Sequence, residues 1–320
     1  MTTLSNGPAV SVERPRPSTG MAERPPQRRR RFTRRSLIPW LFLVPGLLLG
    51  VIFKFGPMIE GIRMSFVKVQ PFLGDEFIGL DNYVKVLSDQ RFLDALAHTV
   101  VLGGGQAIGA LILGTGLALL LEGSSRRLWF VRTAVFLPVV TAVAVVGEIW
   151  RILLFPTESG FINSILGMVG IQAQGFLSDP NTSLGYVMAV GIWISAPYNM
   201  VIILAGLAGI DRALYESAAV DGVTTWQRLR YIVFPALRPA LSVVLTLAAI
   251  RSLRIFTEVF VLTGGGPAGS TEVWMTRVFS LGFKGNDLGV ASAASVLLLV
   301  ATLVLTVSVR MVSNRKERAR

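Results

Sequence analysis

The 320-residue chain contains no cysteine and a single histidine, His98. Without cysteine it can form no disulfide framework, no thiolate metal site and no cysteine nucleophile, and one histidine cannot build a histidine cluster. Charged residues are also scarce, at 16% of the sequence, whereas a soluble domain carries about 25%. We therefore predict no catalytic residues and no metal site, and we expect much of the surface to face a solvent other than water.

What the sequence has in excess is apolar residues, which make up 52% of the chain. Six apolar runs are long enough to cross about 30 Å of hydrocarbon, a distance that takes about 20 helical residues. The runs lack the alternation of barrel strands, so the predicted fold is an all-α membrane protein with six transmembrane helices. The predicted spans are residues 36–55, 96–121, 132–155, 184–207, 240–262 and 288–312.

The chain has 31 Lys and Arg residues and 19 Asp and Glu residues, which gives a net charge of +12. They cluster beside apolar runs and not on a soluble face, so we predict a lipid bilayer as partner and no nucleic acid. Most of them lie in the N-terminal tail, the loop near Arg126, the loop over 211–239 and the tail after 312, which places both termini in the cytoplasm. The predicted domains are a disordered basic tail (1–35), a transmembrane domain (36–312) and a second basic tail (313–320).

The cytoplasmic loop over about 210–239 is the most informative segment. Asp211 can cap a short helix, Gly222 permits a sharp turn, and Thr224 or Thr225 can cap a second helix. Two prolines then end that helix and begin the fifth span. The loop is predicted to be a helix–turn–helix that projects from the membrane.

The residue pattern of this loop resembles a known motif. The residues that carry the match are Glu216, Ser217, Ala218, Asp221, Gly222, Ile232, Pro235, Leu237 and Pro239. Their spacing resembles the EAA loop of the permease subunits of bacterial ABC importers. The chain departs from the pattern at Ser217 and Val223, where the family usually has alanine. The simpler alternative is a surface hairpin that only joins two spans.

The resemblance implies a type I ABC importer permease whose loop docks as a coupling helix on a separate ATPase and drives alternating access. The coupling residues carried over are Glu216, Ser217, Ala218, Asp221 and Gly222. It also implies a second, similar permease subunit, two ATPase subunits that bind ATP and Mg²⁺, and an extracytoplasmic binding protein that meets residues 57–95 and 263–287. The chain has no Walker sequence, so we expect it to bind no cofactor and not to be an enzyme.

Three further patches, at 42–66, 77–83 and 261–267, resemble the carbohydrate-uptake branch of these permeases, which includes maltose and glycerol-phosphate systems. They imply a sugar importer that spans the bacterial inner membrane several times. The sequence does not identify the sugar.

Ionisable side chains inside spans are costly and usually face a bundle interior or a water-filled path. Glu148 and Arg151 form an i,i+3 pair, and Arg254 and Glu258 form an i,i+4 pair on the predicted fifth span, where Arg251 also lies. Arg254 and Glu258 are candidates for the substrate pathway. The alternative for both pairs is packing between helices.

Sugars are bound by aromatic faces and a few directed hydrogen bonds. Trp193 and Asn199 in the predicted fourth span and Phe256 in the fifth are therefore further pathway candidates.

Two other classes of protein remain as alternatives. An ion-coupled secondary transporter would use intramembrane acids as its energy input. A membrane-embedded enzyme would need a convergent nucleophile and base, for which the side-chain inventory is poor.

Overall fold

The computed structural model describes residues 38–70 and 74–318. The predicted tail over 1–35 and the last two residues lie outside this part of the chain. Residue contacts divide the chain into two units, 1–54 and 55–320. The first unit contains helix α1 (Ile38–Gly50), and the second begins with α2 (Gly56–Met64), with a π-helical turn between the two helices in the sequence.

All remaining elements belong to the second unit. A two-stranded antiparallel sheet pairs β1 (Val67–Lys68) with β2 (Glu76–Phe77). The helices that follow up to the 210–239 loop are α3 (Asp81–Ser88), α4 (Gln90–Leu120), α5 (Arg126–Val140), α6 (Val143–Leu153), α7 (Phe161–Met168) and α8 (Ser183–Ala208). The loop and the C-terminal part contain α9 (Arg212–Val220), α10 (Thr225–Arg228), α11 (Phe234–Ala236), α12 (Arg238–Ser252), α13 (Thr257–Leu262), α14 (Trp274–Phe279) and α15 (Leu288–Arg318).

Four helices in the described part of the chain are long and apolar enough to cross a membrane. They cover Trp40–Met64, Gln90–Leu120, Ser183–Ala208 and Leu288–Val309. Two bent helix pairs raise the number to six if each pair is one span. The predicted all-α membrane fold is confirmed, and the predicted number of six spans is reached when each bent pair is counted as one span.

The third predicted span, 132–155, is not one straight helix. It is formed by α5 and α6, which meet at an angle of 99°. Pro138 lies inside α5 and cannot donate a hydrogen bond to the preceding turn, and Thr141 has extended backbone angles. The bend therefore lies just after Pro138. The apolar composition of the run predicts a span but does not predict this bend.

The fifth predicted span, 240–262, is wrong as a continuous helix. Helix α12 ends at Ser252, and the backbone leaves helical geometry before α13 starts at Thr257. Helix α12 instead forms a bent pair with residues 225–236, at 65°. Helix α15 also continues to Arg318, beyond the predicted end at 312, since Arg, Lys and Glu are good helix formers.

Helices α4 and α8 form the most extensive helix pair. Their backbones approach closely at Gly114, where an added Cβ would lie 2.8 Å from the carbonyl oxygen of Ala196. Small residues at such crossings are typical of helix packing in membranes.

The buried side chains form three clusters along these helices. Cluster 1 joins α4, α8 and α13 and includes Val187, Val190 and Val259. Cluster 2 joins the C-terminal halves of α4 and α8 to the end of the 210–239 loop, and cluster 3 joins α3, α14 and α15. Large apolar side chains on the outer faces of the spans are exposed, as expected for a surface that lipid covers.

Candidate functional site: the 210–239 loop and a cavity between helices

The first arm of the 210–239 loop is helix α9. It begins at Asp211, whose carboxylate accepts a hydrogen bond from the backbone N–H of Ala213 at 3.0 Å. This satisfies one of the backbone donors that a helix start leaves unpaired. The predicted N-cap is confirmed.

The turn after α9 is a Schellman motif centred on Gly222, which has φ of +67°. The N–H of Val223 donates to the carbonyl of Ala218 at 3.0 Å, and the N–H of Gly222 donates to that of Ala219 at 3.3 Å. This pair of bonds requires a left-handed residue at the position of Gly222, which glycine adopts without steric cost. The predicted sharp turn is therefore present and is defined by local hydrogen bonds.

The second arm starts with a capping box at Thr224. Its hydroxyl accepts from the N–H of Gln227 at 3.4 Å, and the Gln227 side chain accepts from the N–H of Thr224 at 2.9 Å. Of the two threonines that the sequence offered as caps, Thr224 is the one used. Helical backbone continues through α10, a π-helical segment and α11 to the 65° bend before α12.

Both arms are fixed to the transmembrane core. The hydroxyl of Tyr215 donates to Glu122 at 3.3 Å, and the guanidinium of Arg228 lies 5.8 Å from the Tyr215 ring centre. Burial and the neighbouring Glu122 carboxylate raise the pKa of Tyr215. Val233 and Leu237 are buried in cluster 2. The loop is therefore a two-armed unit that packs, through both arms, against the C-terminal ends of α4 and α8.

The predicted coupling residues fall on two sides of this unit. Glu216, Ser217 and Asp221 are exposed, and Gly222 is exposed at the turn. Ala218, in contrast, is buried, with 6% of its surface exposed, and packs within this chain. Its methyl group is covered within this chain and is therefore not presented to a partner.

The exposed side of the loop also carries large apolar side chains. They are Leu214, Val220, Trp226 and Tyr231. Exposed aromatic and aliphatic side chains beside charged ones are typical of a surface that docks another protein.

A cavity of about 350 Å³ lies between α4, α8 and the α12–α13 region. The residues that line it are Gly103, Gln106, Ala107, Ala110, Ser195, Asn199, Ala248, Ile250, Arg251, Ser252, Arg254, Ile255 and Glu258. Its wall thus combines small apolar residues with amide, hydroxyl and charged groups.

Three of the five predicted pathway residues line this cavity: Asn199, Arg254 and Glu258. Trp193 does not, since its ring packs edge-on against Trp150 with ring centres 5.4 Å apart. Phe256 also lies outside it and stacks on Phe260 at 5.2 Å.

The predicted i,i+4 pair is not formed, because α12 ends before Arg254 and Glu258 belongs to α13. Among the described residues, no ion pair joins these two side chains. The other predicted pair is present, with Arg151 and Glu148 at 2.7 Å.

Gln106 and Ser195 are cavity residues that the sequence reasoning missed. Gln106 is a polar residue in the middle of a long apolar run, a signal that could have identified it. In residues 38–70 and 74–318, no group of three His, Asp or Glu side chains is placed to hold a metal ion.

The glycine-rich segment over 261–267 forms a tight turn next to α4. Gly264 and Gly265 have φ of +63° and +94°, and the Gly266–Pro267 peptide bond is cis. His98 of α4 lies in hydrogen-bond contact with the carbonyl of Glu272, with 3.0 Å between Nδ1 and the oxygen. His98 therefore connects α4 to Glu272, five residues after this segment.

The family of binding-protein-dependent transport system inner membrane components matches residues 96–318. The chain belongs to this family. The match includes the whole 210–239 loop and every residue that lines the cavity. The permease is therefore a component of an ABC transport system, as the loop motif indicates.

Curated relatives of the permease match over most of both chains. The sn-glycerol-3-phosphate transport system permease protein UgpA of Agrobacterium fabrum is 33% identical over 277 residues, 85% of this chain and 92% of that protein. The trehalose/maltose transport system permease protein MalF of Thermococcus litoralis is 30% identical over 275 residues, 86% of this chain and 92% of that protein.

Solved structures also resemble the permease. One chain of a bacterial ABC transporter involved in the import of the acidic polysaccharide alginate superposes with a TM-score of 0.78 at 28% identity, covering 88% of this chain and 96% of that one. The same score is found for an alginate transporter in complex with an alginate pentasaccharide-bound periplasmic protein, at 27% identity, over 88% of this chain and 95% of that one. These matches do not favour the ion-coupled alternative.

Proposed function

We propose that this permease is one of two pore-forming subunits of an ATP-driven sugar importer in a bacterial inner membrane, with both termini in the cytoplasm. The relatives named above are permeases of glycerol-phosphate and trehalose/maltose systems, and the structural neighbour belongs to an alginate importer. The basic loops and tails support the orientation.

The observation that carries the proposal is the geometry of the 210–239 loop. Its two arms meet at Gly222, its exposed side presents Glu216 and Asp221, and its other side packs through Tyr215 and Val233 into cluster 2. A force applied to the exposed side is passed to α4 and α8, because packed helices do not deform independently.

The proposed partners are those that the family resemblance implies, and the loop geometry supports the ATPase among them. Two ATPase subunits, which hold ATP and Mg²⁺, dock on the exposed side of the loop and of its counterpart in a second, similar permease subunit. An extracytoplasmic binding protein delivers the sugar to residues 57–95 and 263–287. The chain itself binds no nucleotide and hydrolyses none.

The test uses the permease purified with its ATPase and reconstituted for uptake. Glu216→Lys reverses a charge that is 75% exposed, and Gly222→Pro replaces φ of +67° with a value near −65° and removes the N–H that donates to Ala219. We expect each change to weaken ATPase association and to lower ATP-dependent uptake by at least about tenfold. Glu158→Lys, at an exposed position between α6 and α7, is the control and leaves both unchanged.

Two results would contradict the proposal. One is unchanged ATPase association and uptake in both loop variants. The other is uptake that persists after ATP depletion and collapses with an uncoupler, which would instead support the ion-coupled alternative.

A further inference from the structure

The wall of the 350 Å³ cavity is unevenly charged. Among the described residues that line it, Arg251 and Arg254 are basic and Glu258 alone is acidic. An arginine side chain stays protonated at any physiological pH, so the wall keeps an excess of positive charge.

Neither arginine is neutralised within the described part of the chain, since none of the ion pairs formed there includes Arg251 or Arg254. The guanidinium of Arg251 lies 4.2 Å from the ring centre of Tyr198. This cation–π contact orients the guanidinium without cancelling its charge.

The cavity wall also holds an unpaired donor. The side-chain nitrogen of Gln106 is buried and has no hydrogen-bond partner among the described residues. Its amide packs on Gly191 of α8, where an added Cβ would collide with it. The unpaired nitrogen therefore faces α8 and is closed to a molecule in the cavity, so the charge of the wall, and not this donor, indicates the ligand.

We propose that this cavity binds a negatively charged group of the transported sugar, either a carboxylate or a phosphate. Arg251 and Arg254 face the anion, because a planar guanidinium matches the oxygens of both groups. Asn199 supplies directed hydrogen bonds to the rest of the sugar, and Glu258 accepts from a hydroxyl. The inference rests on the proposed function and adds the chemical class of its substrate.

The experiment measures direct binding of small probes to the permease purified with the subunits it retains, without nucleotide and without binding protein. Two matched pairs of probes separate the sources of charge: glycerol 3-phosphate with glycerol, and cellobiouronic acid with cellobiose. We expect the acidic member of at least one pair to bind about tenfold more tightly than its neutral partner. The pair that shows this preference identifies the anion as phosphate or carboxylate.

Variants then assign the preference to the cavity. Arg254→Gln and Arg251→Gln each remove a charge and keep hydrogen-bonding groups, and we expect each to reduce the acidic preference severalfold. Arg254→Lys keeps the charge, and we expect this variant to retain most of the preference for the acidic probe. Gly191→Ala displaces the Gln106 amide and weakens acidic and neutral probes alike. Arg151→Gln, at an arginine outside the cavity, is the matched control and changes nothing.

Each outcome decides the question. Equal binding of acidic and neutral probes, or a preference that survives both Arg→Gln changes, overturns the inference. Retention of the partner subunits and an unchanged Tm show that a variant is folded, and if one Arg→Gln variant fails this check, the other carries the test. Probe binding is read without ATP, so an acidic preference in a complex that shows no ATP-dependent uptake removes the proposed function and leaves only the anion site, without its assignment to a transported sugar.

Discussion

Two helix interruptions, one at residues 221–224 and one at 253–256, lie on either side of α12 and have different causes. The first contains a glycine with φ of +67° and two capping arrangements. One is made by residues 218–223 and the other by residues 224–227, so both are local in sequence. The second contains neither glycine nor proline, and no side chain caps the start of α13.

The second interruption is held by packing. Ile255 and Val259 are buried in cluster 1, and Leu262 anchors the end of α13 in the same cluster. Phe256 stacks on Phe260. One break is thus encoded by neighbouring residues, whereas the other has no local cap and coincides with the docking of α13 in cluster 1.

The largest expected effect is at the break held by packing. Leu262 is 4% exposed, so Leu262→Ala leaves a cavity in cluster 1, and we expect the free energy of unfolding in mixed micelles to fall by about 2 to 5 kcal/mol. Leu303→Ala removes the same atoms from a side chain that is 57% exposed and serves as control. Equal losses at the two positions would show that docking of α13 does not stabilise the fold.

At the locally encoded break, Gly222→Ala forces an L-residue into left-handed backbone. Within residues 38–70 and 74–318, apart from the adjoining residues, no atom lies within 4 Å of the added Cβ, so the cost is conformational and we expect about 1 to 2 kcal/mol. Gly185→Ala adds the same methyl group inside α8, also in open space, and is expected to leave stability unchanged or raise it by up to about 1 kcal/mol. A loss of equal size at Gly185 would show that the left-handed backbone at Gly222 is not what makes the substitution costly.

Removing the cap on the other side of the same turn should cost less. Thr224→Ala deletes the hydroxyl of the capping box, and we expect a loss of about 1 kcal/mol in the free energy of unfolding. Thr225→Ala, at the next residue, makes no cap and serves as control. If both changes cost the same, the turn does not depend on its capping box.

The smallest expected effect concerns a contact between elements far apart in sequence. Arg277 of α14 donates a hydrogen bond to Asp89, at the start of α4, at 3.0 Å. Burial raises the pKa of the Asp89 carboxyl, but the bonds from Arg277 and from the backbone of Arg91 outweigh it, so that pKa lies below its ordinary value of 3.8.

A lowered pKa stabilises the native state above the pKa of the unfolded chain, and this stabilisation is lost as pH falls through the native value. We expect Asp89→Asn, which keeps a helix cap, to lower the free energy of unfolding at pH 6 by no more than about 1 kcal/mol. This loss is measured as a small decrease in Tm. The difference from the parent should vanish in strong acid. A difference that stays constant with pH would mean that the charge of Asp89 is not involved.

The features that could be predicted from the sequence are those with local causes. The apolar runs indicate the four long spans, and Asp211, Gly222 and Thr224 act as predicted because caps and left-handed turns involve only nearby backbone groups. The loop motif likewise predicted the family that the match over 96–318 shows.

The features that could not be predicted depend on which helix faces which. The break before α13 and the joining of Gln106 with Arg251 at one cavity each need residues far apart in sequence to pack together. Composition and spacing determine how much of the chain is helical and lipid-facing, because those properties follow from single residues and their near neighbours. Only the tertiary structure decides which polar groups share a cavity, because that depends on the close approach of α4 and α8 and on the docking of α13.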